Sequence, residues 1–362
     1  MNQTVTEYRE KENGPELAER IRHWGQELGF QHTAITGIDM GVAPARLHEW
    51  LAAGFHGDMN WMADQAALRT QPDTLQPGTI RVICVRMDYL PEPMPEAWAQ
   101  LNNGEAAYIS RYALGRDYHK LIRKRLQTLA EQIRQQITGM KYRVFCDSAP
   151  VLEKPLASQA GLGWIGKHTN LIHRNAGSFF FLGEIYTDLP LPVDQPVTPH
   201  CGSCTACMDI CPTQAIIAPY QLDARRCIAY LTIEWRGIIP LEFRRAIGNR
   251  IYGCDDCQLV CPWNRYAQIT REPDFKPRHG LDTASLLSIW DWSETRFLKD
   301  MEGSPIRRIG YNAWLRNIAV ALGNAPASPQ IVSALQSRLT QADPVLQEHI
   351  LWSLAEQLSR IP

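Results

Sequence analysis

Four cysteines in the stretch HCGSCTACMDICPTQAI, which starts at His200, stand at the spacing C-x2-C-x2-C-x3-C: Cys201, Cys204, Cys207 and Cys211, with Pro212 directly behind the last. A second set follows, Cys227 alone and then Cys254, Cys257 and Cys261, again with a proline, Pro262, behind it. Thiolates suit iron–sulfur chemistry, and a [4Fe–4S] cube takes four of them. In the bacterial ferredoxin run three cysteines hold one cube and the fourth crosses to the other. That rule assigns Cys201, Cys204, Cys207 and Cys261 to a first cube, and Cys211, Cys227, Cys254 and Cys257 to a second. Cys227 departs from the simple pattern, because it lies well upstream of its partners. Zinc is the competing reading, but four-cysteine zinc sites use paired C-x2-C knuckles and need neither the third cysteine nor the C-P ending. Two joined cubes carry single low-potential electrons, so the segment predicts a ferredoxin-like relay.

The rest of the chain must position this relay and give its electrons a destination. Of the ten cysteines in 362 residues, eight lie between positions 201 and 261, which is ligand crowding. Cys84 and Cys146 sit in β-branched runs and are expected to be buried strand residues. The polar N-terminus shows no export segment and no apolar run is long enough to span a membrane, so a cytoplasmic protein with no membrane contact is expected. A formal charge of −1 excludes a general polyanion binder; nucleic acid would need a local basic face.

Leu17, Ile21, Trp24 and Leu28 recur at helical spacing, and strand-like runs follow in HTAITGI, IRVICVRM, YRVFCDS and SFFFLGEIYTD. A helix is predicted from His119 to Ile137. Residues 1–190 therefore read as one α/β or α+β domain, and DLPLPVDQPVTPH, with four prolines, as a stiff linker. Residues 191–270 form the cysteine module and 271–362 a helical tail. In that tail Leu315, Ile318 and Leu322 recur as Ile350, Leu351 and Leu354, which resembles a pair of HEAT-type repeats; an ordinary helical cap is the alternative.

A plain ferredoxin needs no domain as large as the first, whose polar stretches are the place to look for chemistry. Asp147 follows a strand and precedes a proline turn, where partial desolvation would raise its pKa toward use as an acid, though an Asp there can also cap a helix. Gly161, Gly163 and Gly166 in GLGWIGKHTN would let backbone approach a flat cofactor or phosphate, but no strand leads into them, so they make a weak dinucleotide fingerprint.

Seven blocks in order, SRYALGRDYHK, DSAPVLEKPLA, GLGWIGKH, AGSFFFLGE, CGSCTACMDICPT, DARRCIAYLTIE and NRIYGCDDCQLVCPWN, resemble the epoxyqueuosine reductase family over nearly the whole chain. The resemblance implies an α+β architecture: a cobalamin-binding catalytic domain, a ferredoxin-like domain with two [4Fe–4S] clusters and a HEAT-like tail. It implies removal of the epoxide oxygen of epoxyqueuosine at the tRNA wobble position, giving queuosine, with Asp147 as proton donor. It also implies a cobalamin neighbourhood of Arg111, Tyr112, Asp147, Lys154, Lys167, Asn170 and Ser178, with Asp255 and Asp256 beside the second cube. His119 is assigned to the surface: the D-x-H-x-x-G signature would need Gly at position 122, which is Ile, so base-off cobalamin without a histidine ligand is expected.

For tRNA, RYALGRDYHKLIRKR has six Arg/Lys against one Asp, including Arg123, Lys124 and Arg125; RRIGYNAWLRN adds Arg307, Arg308 and Arg316. Basic side chains neutralise phosphate and interleaved aromatics can stack an unpaired base. A monomer fed by an external low-potential donor is expected. Two rival readings are another corrinoid iron–sulfur reductase acting on a small molecule, and an electron carrier without catalysis of its own.

Overall fold

The structure is a computed structural model and describes residues 14–361. Its central sheet has the strand order β1-β2-β7-β4, formed by β1 (His32–Thr36), β2 (Arg81–Asp88), β4 (Tyr142–Phe145) and β7 (Phe180–Thr187). These are the four runs expected as strands. Every pairing in the sheet is antiparallel, so the α+β reading holds and a parallel doubly wound sheet does not. The short strand β3 (Tyr108–Ile109) pairs instead with β10 (Arg250–Tyr252), in parallel. A hairpin of β5 (Trp164–Ile165) and β6 (Leu171–Ile172) stands apart, as does the pair β8 (Ile216–Ala218) and β9 (Gln221–Leu222).

Both faces of the central sheet are covered, so RVICVRMD is buried almost throughout, Arg86 and Asp88 included. Ile83, Val85 and Met87 face helices α1 (Gly14–Glu27) and α2 (Tyr118–Gln136), while Val82 and Cys84 face α3 (Glu153–Gln159). Leu17 and Ile21 of α1 are buried, and Cys84 and Cys146 are fully so, as their patterning implied. The proline-rich segment is no free linker. Leu189 and Leu191 are buried, and Asp194 accepts the Ile35 amide and pairs with Arg22, both at 2.8 Å, strapping it along β1.

In the tail, α4 (Gly310–Asn324) packs on α6 (Pro344–Leu358), with α5 (Pro329–Leu339) against α6. Leu315, Ile318, Leu322, Ile350 and Leu354 are buried, but Leu351 is 49% exposed and leaves the expected repeat. Packing also crosses both expected boundaries: Ala107 and Ile109 share one core with Ile251, Tyr252 and the tail helices. Among the described residues no helix is long and apolar enough to cross a membrane.

Candidate functional site

The eight spaced cysteines gather round two cavities. Cys201, Cys204, Cys207 and Cys261 line one; Cys211, Cys227, Cys254 and Cys257 line a second, of about 250 Å³. The isolated Cys227 arrives because it opens the helix Ile228–Ile233, and its thiol meets the backbone amides of Ala229 and Tyr230. Each quartet surrounds a space: among the described residues, no three His, Cys, Asp or Glu side chains close on the size of one metal ion.

The second cavity extends beyond its cysteines into a bowl lined by Ser110, Tyr112, Lys154 and Asn170. A side chamber of about 100 Å³ shares Lys154 and Asn170 and adds Tyr89, Ser178 and Phe180. Tyr112, Lys154 and Asn170 thus line the bowl, while Ser178 lies in the side chamber with its hydroxyl accepting from Gln258 and Asn264. Three others serve the protein itself. Arg111 is 1% exposed, donating to Glu92 at 2.6 Å and to the Ile109 carbonyl, so its guanidinium faces no ligand. Asp255 accepts from Tyr108, Ser110 and the Arg111 amide, and Asp256 holds Arg250. Both aspartates line the bowl but brace the second quartet. Lys167 lies elsewhere: its ammonium donates to the carbonyls of Gly202 at 2.7 Å and Cys204 at 2.9 Å, fastening the first-quartet loop.

Asp147 does not cap a helix. It has φ +50°, a left-handed conformation costing about 1–3 kcal/mol for a side-chain residue, and its amide donates to Glu153 Oε1 at 2.5 Å. Its carboxylate accepts from the Tyr118 hydroxyl and lies 3.2 Å from His119 Nε2. His119 is therefore not the detached surface residue expected. Its ring stacks on Tyr118, at 4.2 Å between centroids, and its Nδ1 is 2.6 Å from Asp117, the N-cap of α2. Burial alone would lower the His119 pKa, but Asp117 and Asp147 raise it to about 9. For Asp147 burial works upward, yet the hydrogen bonds from His119 and Tyr118 outweigh it and hold the carboxyl below its ordinary value. The raised pKa expected for Asp147 is thus corrected. Both shifts favour an imidazolium–carboxylate pair, with His119 Nε2 toward Asp147 and Nδ1 toward Asp117.

A second acid pair lies behind this couple and was not legible in the sequence. Glu184, fully buried in mid-strand on β7, lies near Glu153 at the start of α3, and neither of its carboxylate oxygens has a hydrogen-bond partner among the described residues. Burial first, then their mutual charge, raises Glu184 well above its usual value; burial and Asp147 raise Glu153 to about 8. Only the break in the apolar alternation of FFLGEIYT could have flagged Glu184.

On its other side Asp117 opens onto a groove of about 950 Å³ lined by Arg116, Lys120, Lys124, Arg278, Lys299, Arg307 and Arg308, against Asp117, Asp274 and Glu302. Of the basic residues expected to meet RNA, Lys124, Arg307 and Arg308 line this groove. Arg123 is exposed but outside the groove. Two expectations fail. Arg125 is held by the Leu28 carbonyl and Glu272. Arg316 is 1% exposed and donates to the carbonyls of Leu231, Trp235 and Gly237, because α4 is buried on every side. Arg278 and Lys299 come from segments distant in sequence and carry no local signal.

Two cysteine quartets, the second opening into a bowl whose Tyr112 packs edge-on against Tyr118, the residue that donates to Asp147, belong to an iron–sulfur oxidoreductase. Comparison with known proteins narrows the class. The profile described as "Epoxyqueuosine reductase QueG, DUF1730" matches residues 69–148, and "4Fe-4S double cluster binding domain" matches residues 200–264. The chain is 59% identical, over 94% of its length and 96% of the relative's, to an epoxyqueuosine reductase of Xanthomonas campestris pv. campestris. Its fold matches an epoxyqueuosine reductase from Bacillus subtilis at TM-score 0.86 and 27% identity, covering 95% of this chain and 91% of that one. In that structure a catalytic aspartate loop is swung out of the active site. A further epoxyqueuosine reductase, crystallised with an epoxyqueuosine-modified tRNA-Tyr stem loop, matches in fold at TM-score 0.80 and 24% identity, over 96% of this chain and 100% of that one. The present chain belongs to the epoxyqueuosine reductase family, and it carries a double-cluster 4Fe–4S binding domain.

Proposed function

We propose that this chain reduces the epoxide of epoxyqueuosine in tRNA to the alkene of queuosine, with cobalamin in the bowl and [4Fe–4S] clusters in the two cysteine quartets. The observation that carries the reading is the His119–Asp147 couple, placed where a basic groove meets the neighbourhood of a redox relay. The lining suits a flat, amide-fringed macrocycle: Tyr112 in the bowl and Phe180 in the side chamber offer apolar faces, and Lys154 and Asn170, which line both, offer polar groups. When bound, the corrinoid supplies the reducing electrons to the epoxide. An external low-potential donor would load the relay, and cobalamin would be bound base-off without a histidine ligand; His119, the histidine nearest the D-x-H spacing, is held between Asp117 and Asp147.

The reduction takes two electrons and two protons and releases water. The opening epoxide oxygen develops negative charge and needs an acid within hydrogen-bond reach. Asp147 faces the open side of the couple, with 53% of its side chain exposed, and would pass the proton that His119 Nε2 holds. Asp117 fixes the ring by its Nδ1 and keeps Nε2 toward Asp147. The groove would take the anticodon stem-loop through its phosphates, within reach of the couple because both share Asp117.

Two expected outcomes test this reading. Asp117, Asp147 and Tyr118 face His119, and the imidazolium they hold is present below about pH 9 and lost above it. At saturating substrate kcat should be level near neutrality and fall about tenfold per pH unit above about 9. A rate that is unchanged or rises there would remove His119 from the proton path. Replacing Lys120, Lys124 and Arg307 together with Ala should flatten the dependence of log affinity for the stem-loop on log salt by about two to three. An unchanged slope would place the RNA elsewhere.

A further inference from the structure

The hairpin of β5 and β6 carries GLGWIGKHTNLI, and the protein's own backbone fills the space its glycines leave. A Cβ on Gly161 would come within 2.5 Å of the Gln195 carbonyl oxygen, and one on Gly163 within 2.3 Å of that of Ile172. These glycines therefore serve tight chain packing and do not cradle a phosphate. The close packing sets two aromatic N–H groups beside the cysteine quartets, and neither has a hydrogen-bond partner in the protein. His168 is 4% exposed, and its Nδ1 accepts the Asn170 amide at 3.1 Å, so its ring hydrogen is on Nε2. That Nε2 is enclosed and unpaired. Among the described residues, His168 alone lines both the first-quartet cavity and the second. Trp164 is 1% exposed, its Nε1 is likewise enclosed and unpaired, and it packs in one cluster with Ile172, Cys261 and Cys201.

We propose that this hairpin tunes the electron relay: the Trp164 Nε1–H and His168 Nε2–H donate hydrogen bonds to sulfur atoms of the [4Fe–4S] clusters, His168 at the junction between the two. The proposal rests on the reading of both quartets as cluster sites. Buried donors are almost always satisfied, and two orphans on one hairpin, both beside cluster cysteines, point to a shared class of acceptor. A reduced cluster carries one more negative charge, so a donor to its sulfur favours the reduced state and raises the potential. The effect would bring each cluster within reach of the same external donor and ease transfer from one to the next.

The test is a redox titration of the full chain, reconstituted without oxygen and without cobalamin, followed by electron paramagnetic resonance. Trp164→Phe keeps a flat ring and removes the N–H; His168→Leu removes the donor, and His168→Gln restores a terminal N–H at similar reach. Trp164→Phe and His168→Leu should each lower the midpoint potential of at least one cluster with iron content unchanged, and His168→Gln should recover it. Unchanged potentials at full iron content would overturn the proposal. So would a shift that appeared only after cobalamin was added, since the acceptor would then belong to the corrin. Should His168→Leu lose its clusters, pulsed resonance on the unsubstituted protein with isotopically labelled histidine decides: nitrogen coupling to a reduced cluster supports the hydrogen bond, and its absence overturns it. Failure of the cluster reading itself would look different, as unsubstituted protein with no iron–sulfur signal.

Discussion

Asp147→Asn is expected to lower kcat by about 10²–10⁴-fold while leaving stem-loop affinity and cluster content unchanged. The amide oxygen of Asn can still accept from Tyr118 and His119, and its backbone amide can still donate to Glu153, so the left-handed loop should keep its shape. Asn cannot, however, take up the imidazolium proton and pass it on. Binding and chemistry should therefore separate cleanly. A near-normal rate would mean that water or another group protonates the opening epoxide, and would leave Asp147 as a residue that merely holds His119.

Cys227→Ala should cut iron and sulfide from about eight of each per chain to about four. Cys227 is the one cysteine outside the two compact runs, yet it lines the same cavity as Cys211, Cys254 and Cys257. Losing it should abolish the cluster nearest the bowl and spare the one held by Cys201, Cys204, Cys207 and Cys261. Multiple turnover should stop, because electrons would no longer reach the site. Two intact clusters in this variant would show that the crossed ligand assignment is wrong; loss of both would show that the quartets do not assemble independently.

The cysteines were legible because ligand spacing is a local property: three of the first quartet and two of the second come from one short run, while the crossing of Cys211 and Cys261 and the assignment of the isolated Cys227 needed a rule from outside. The four main strands and α2 were legible for the same reason, since their apolar periods lie within single segments. Asp147 was singled out only through the family resemblance, and its pairing with His119 was not legible at all. His119 sits in a basic helical stretch that reads as a solvated face, and the pairing appears only when the turn after β4 brings Asp147 to 3.2 Å from it. Arg316 failed in the opposite sense, because a charged residue beside aromatics gives no sign that α4 will be buried all round and that three carbonyls from distant residues will meet it. The proline-rich segment reads as a linker until Asp194 is seen to bind β1. In each case the missing information was the partner's position across the fold.

The most direct test of the account is mass spectrometry of a tRNA anticodon stem-loop carrying epoxyqueuosine, after incubation without oxygen with the reconstituted chain, cobalamin and a low-potential reductant. The account predicts loss of one oxygen atom, giving queuosine, and no loss when cobalamin is left out. An unchanged stem-loop with both clusters and cobalamin loaded, or equal conversion without cobalamin, would contradict it.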